Sequence, residues 1–174
     1  MKAIKIISFV AVLTLFFNCE NKNNINQLVV SIDAVIKTTD SINTYYTTDN
    51  SIEFNDKQSF WTKIKGSKKN QKIQIVFPDS IQPKQIRLDF GRNISQPEII
   101  INEVKFTYKN KNFTAKGEEV YYLFRVDDSN TTIDKLTGSL ERKEKNQIVG
   151  PSLYPNGDEL FKTLNQLYSK KDQK

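Results

Sequence analysis

From Leu28 onward, apolar residues recur at every second position. Val30, Ile32, Ala34 and Ile36 alternate with polar or smaller partners, and so do Phe60, Thr62 and Ile64, then Ile73, Ile75 and Phe77. The same alternation continues through Ile86, Leu88 and Phe90, through Val104, Phe106 and Tyr108, and through Val120, Tyr122, Phe124 and Val126. A period of two puts one apolar and one polar face on each segment, which predicts half-buried strands. Turn residues punctuate them, among them Thr39-Asp40-Ser41, Gly66-Ser67, Pro78-Asp79-Ser80, Asn110-Lys111-Asn112 and Asp127 to Asn130. Eight or nine short strands at this spacing predict a mainly all-β fold, an antiparallel β-sandwich of jelly-roll-like type.

The period changes near the carboxyl end. Leu160, Phe161, Leu164, Leu167 and Tyr168 form one stripe of a short amphipathic helix over residues 157–169, ahead of Lys170-Lys171. Asn156 is its candidate cap, and Asp158 and Glu159 suit the positive end of the helix dipole. The stripe predicts burial on the sandwich.

The first segment follows a third pattern. Lys2 and Lys5 precede Ile6 to Phe17, twelve residues without a charge. That run is too short to span a hydrocarbon core, which takes ~20 apolar residues, and it fits a secretory leader over residues 1–18. Cys19 follows immediately and is the only cysteine of the 174 residues. This arrangement resembles the lipobox of bacterial lipoproteins of the Bacteroidetes type, although Phe16, Phe17 and Asn18 are bulkier than the usual residues there. The resemblance implies acylation of Cys19, a cell-envelope location and the membrane as partner. Residues 19–27, polar and without periodicity, then read as a lipidated cysteine and flexible tether, leaving 28–174 for the sandwich and its helix. A single thiol forms no internal disulfide, so such a domain rests on its apolar core.

Composition removes much chemistry. The chain has no histidine and one cysteine, which excludes His-ligated zinc, Ser-His-Asp triads, Cys-His nucleophiles and haem ligation by histidine. The formal net charge is +6, or +4 once Lys2 and Lys5 leave with the leader. Lysines dominate the excess, and clusters such as Lys68, Lys69 and Lys72 flank turns, where charge is solvated. Nucleic acid is therefore not an expected partner.

Three predicted strands carry paired aromatics: Tyr45-Tyr46, Phe60-Trp61 and Tyr121-Tyr122. Neighbours on a strand point to opposite faces, so with Tyr46, Phe60 and Tyr122 inward, Tyr45, Trp61 and Tyr121 point outward. Lys63 then shares the face of Trp61, and Arg125 that of Tyr121. Aromatic surfaces beside hydrogen-bonding groups suit a sugar ring, and these five residues form a candidate ligand platform. The competing expectation is that the terminal helix covers this face.

Ile86-Arg87-Leu88-Asp89-Phe90-Gly91, with Ile99 to Phe106, resembles the extracytoplasmic sandwich modules of some bacterial membrane glycosyltransferases and glycan-related proteins. The resemblance implies a sandwich with carbohydrate contact and no catalytic residues. Asp40-Ser41-Ile42 and Asp79-Ser80-Ile81 resemble Bacteroidetes O-glycosylation sites, which makes Ser41 and Ser80 candidate modification sites.

Glu118, Glu119, Asp127, Asp128 and Glu141 are the acids available to a glycoside hydrolase, and none has a diagnostic spacing. Asp127-Asp128-Ser129-Asn130 lacks the glycine and terminal glutamate of a calcium loop. The expectation is a lipid-anchored, non-catalytic binding or assembly module for glycan or an envelope protein, with no metal and no cofactor. The alternatives are a small glycan-active hydrolase and a purely structural envelope component.

Overall fold

The computed structural model describes residues 26–134 and 137–169. The leader, Cys19, the first part of the tether and Lys170-Lys171 lie outside the described residues.

Among the described residues are eleven strands: β1 (Leu28–Val35), β2 (Asp40–Thr47), β3 (Ser59–Ile64), β4 (Gln71–Val76), β5 (Gln85–Phe90), β6 (Ile100–Tyr108), β7 (Lys111–Lys116), β8 (Phe124–Val126), β9 (Thr131–Ile133), β10 (Leu140–Arg142) and β11 (Ser152–Pro155). Two helical segments accompany them, a single turn α1 (Val120–Leu123) and the terminal α2 (Glu159–Tyr168). Two antiparallel sheets pack as a sandwich, one in the order β4-β1-β6-β7 and the other β3-β2-β5-β11-β8. A small β9–β10 hairpin stands beside them.

The alternation in the sequence accounts for the core. Leu28, Val30, Ile32 and Ala34 of β1 are fully buried, opposite Ile73 and Ile75 of β4 and Val104 and Phe106 of β6. The second sheet contributes Ile42, Ile86, Leu88, Phe124 and Leu153. Aromatic rings join the layers. Phe106 stacks on Phe124 at 6.4 Å, and Phe60 meets Phe77 edge to face at 5.2 Å, each pair spanning the two sheets.

Helix α2 packs against β6, β7, α1 and β5, so it touches both sheets. Leu160, Leu164 and Leu167 are buried as their stripe predicts. Tyr168 meets Tyr108 edge to face at 4.9 Å and donates its hydroxyl to the Pro83 carbonyl. The helix starts after Asp158 rather than Asn156, whose side-chain amide instead donates to the Tyr121 carbonyl.

One predicted strand is wrong in its first half. Val120 to Leu123 form a helical turn, and only Phe124–Val126 is extended. Gly117, at a left-handed φ of 51°, opens a turn of 3-10 helix over 117–119 that feeds directly into α1. The apolar positions Val120 and Leu123 are three apart, a spacing that serves a helical turn as well as a core.

Candidate functional site

The outer face of the five-stranded sheet follows from register. Trp61 of β3 lies opposite Asn43 of β2, which lies opposite Asp89 of β5, which lies opposite Ser152 of β11. The next row runs Ser59, Tyr45, Arg87, Tyr154 and Arg125, one residue from each of the five strands. Opposed residues on one face of an antiparallel pair stand ~5 Å apart, so each row is a line of touching side chains.

The second row is a ladder of alternating rings and guanidinium groups. The Arg87 guanidinium carbon lies 4.9 Å from the Tyr45 ring centre and 4.4 Å from that of Tyr154, and Arg125 lies 5.2 Å from Tyr154 on the other side. All three distances fall within the range of attraction between a cation and the negative face of an aromatic ring. Asp89 fixes the centre: Arg87 donates through Nε and Nη2 to its two carboxylate oxygens at 2.8 and 2.7 Å. Burial works against the Arg87 charge, but the Asp89 hydrogen bond and charge prevail and hold it above its usual range. Burial likewise pushes the Tyr154 phenol up.

A segment from 48 to 58 crosses one end of this face. Thr47 donates its hydroxyl to the Ser51 carbonyl at 2.8 Å, and Gln85 donates to Asn50 at 3.0 Å. Phe54 then reaches Tyr154, edge to face at 5.9 Å, and Tyr45 donates to Asp56 at 3.1 Å. At the other end Trp61 is 46% exposed, with the Arg92 guanidinium 5.2 Å from its ring centre. Asp40 accepts from the backbone N–H groups of Ser41, Arg92 and Asn93, which anchors the turn that carries Arg92. Asn43 is buried in the middle of this end, and its side-chain oxygen has no hydrogen-bond partner among the described residues.

Four of the five expected platform residues, Tyr45, Trp61, Lys63 and Arg125, therefore share this outer face. Tyr121 does not. It stands on α1, where the strand rule does not hold, and the exposure of the pair is reversed: Tyr122 is 68% exposed while Tyr121 is half-buried and donates to the Gly138 carbonyl at 2.8 Å. The helix expected to cover the face lies elsewhere, since Leu164 is sealed in the core and Trp61 is open.

Sequence reasoning missed Arg87, Asp89, Tyr154 and Arg92. Arg87 and Asp89 were marked by the same alternation that placed Ile86, Leu88 and Phe90 in the core. Tyr154 was concealed because its strand sits in a segment that reads as turns, Gly150 to Gly157.

The two candidate modification sites differ. Ser80 is exposed in a turn at φ 66°, whereas Ser41 lies within β2, half-buried and paired to Lys63, because the predicted turn at residues 39–41 ends two residues earlier, at Thr39. Two of the five candidate acids are engaged locally. Asp127 accepts from the backbone and hydroxyl of Ser129, and Glu119 accepts from the Lys116 N–H. Burial opposes ionisation of Asp127, but the Ser129 bonds, with the charges of Arg87 and Arg125, hold its carboxyl below the usual range. Among the described residues no three His, Cys, Asp or Glu side chains gather where they could hold a metal ion.

Compared with protein-family models, curated proteins and solved structures, the chain matches none.

Proposed function

We propose that this chain is a lipid-anchored, non-catalytic binding module of a bacterial cell envelope, with glycan as its ligand and the outer face of the five-stranded sheet as its binding surface. The observation that carries the reading is the difference between the two outer faces. The four-stranded sheet turns Ser31, Asp33, Lys72, Gln74, Glu103 and Lys105 outward, with no aromatic and no arginine among its outward strand positions. The five-stranded sheet turns out Tyr45, Trp61, Arg87, Tyr154 and Arg125. Segment 48–58 accounts for part of the difference by packing on Tyr154, but Trp61, Lys63 and Arg125 stay exposed beyond it.

The anchor part of the reading rests on the leader and Cys19, which lie outside the described residues. Acylation there would hold the face close to the membrane, since eight tether residues reach at most ~25–30 Å.

A glycan array probed with the mature chain tests the binding part. Signal on defined glycans that falls about tenfold in Trp61→Ala supports it, on the scale of a buried aromatic contact. Equal signals from both proteins contradict it.

A further inference from the structure

Every outward ring on this face already has a guanidinium against it. Tyr45 has Arg87, Tyr154 has Arg87 and Arg125, and Trp61 has Arg92. Three of the four arginines in the chain stand here. A neutral sugar stacking its C–H face on a π surface would have to displace these groups. An anion would not, because a guanidinium laid on a ring keeps its N–H donors at its edge, where a planar oxyanion meets them in pairs.

The acids nearest the arginines are already committed. Asp89 takes both of its bonds from Arg87, Asp127 is bound to Ser129, and Asp40 is turned into backbone N–H groups. Lys63 and Arg92 have no ion-pair partner among the described residues, and Arg125 contributes only a long bond to the Val126 carbonyl at 3.4 Å. Arg87 and Arg125 stand two strands apart, ~10 Å, and Arg92 and Lys63 lie on the far side of the same face.

We infer that the ligand of this face is an acidic polysaccharide bearing carboxylates, held by Arg125, Arg92 and Lys63 while the tyrosines and Trp61 fix the guanidinium groups and flank the sugar rings. This rests on the binding-face reading above and narrows it. The rings act here as supports that restrict arginine rotamers before the ligand arrives, which lowers the ordering cost of binding.

The test measures binding of the mature chain to polygalacturonate, to a neutral glucan of similar length and to polyglutamate. Polygalacturonate binding that weakens as salt rises, with weak or no binding to the other two, is the expected result. Arg125→Gln and Lys63→Gln, both exposed and outside the core, are expected to lower that affinity about three- to tenfold each with an unchanged urea midpoint. Equal binding of glucan and polygalacturonate that still requires Trp61 overturns the acidic ligand and leaves the binding face standing. Polyglutamate binding as well as polygalacturonate overturns the saccharide. Binding of none of the three overturns the inference, and the glycan array decides separately whether the face binds at all.

Discussion

At the scale of single residues, position on a sheet decides what a side chain can do. Tyr45 and Tyr46 are neighbours, yet Tyr46 packs on Phe77 at 5.8 Å in the core while Tyr45 lies against Arg87 outside. Tyr168 shows what burial does to a phenol. Desolvation first, and the nearby Tyr108 second, push it well above the ordinary tyrosine range. Its folded-state pKa is raised, so its contribution to stability is complete below the unfolded value and is lost as pH climbs above about 10. Tyr168→Phe removes the hydrogen bond to Pro83, costing about 1 kcal/mol at neutral pH, and with it the alkaline loss due to this group. Urea titrations at pH 7 and above pH 10 should show the variant's deficit shrinking at the higher pH; a constant deficit would contradict this.

At the scale of elements, the period-two pattern made β1, β3, β4, β5 and β6 legible, because each buries one full face and its register leaves little freedom. Strand β2, with Ile42, Asn43 and Thr44 all buried, showed only through its paired tyrosines. The pattern failed over Val120 to Leu123, where two buried positions three apart satisfy a helical turn equally well. It also missed β11, a four-residue strand with Ser152, Leu153 and Pro155 all buried, because packing on both faces erases alternation. That omission hid Tyr154, and with it the ladder. The helix was legible from its stripe, but its seat was not, since an apolar stripe says only that something covers it. Leu164 is fully buried at that seat. Leu164→Ala is expected to cost about 2–5 kcal/mol by chemical denaturation while leaving ligand binding by the folded fraction unchanged, because Leu164 is sealed in the core and Trp61, Lys63 and Arg125 stand on the outer face.

At the scale of the whole molecule, one sandwich carries two unlike outer faces. The sequence places Tyr45, Trp61, Lys63 and Arg125 outward strand by strand, but only the sheet order β3-β2-β5-β11-β8 brings them into one surface, with Arg87 at its centre. Strand order depends on long-range pairing, such as Asp89 with Ser152, which no local pattern announces. The central claim is that this assembled face is where the ligand sits. Titrating an acidic oligosaccharide into the isotopically labelled chain and following amide, indole and guanidinium resonances tests it directly. The account predicts shifts at Trp61, Arg92, Tyr45, Arg125 and Tyr154, with β1, β4 and β6 unmoved. Shifts confined to the four-stranded sheet, or to the surroundings of Tyr121 and Gly138, would contradict it.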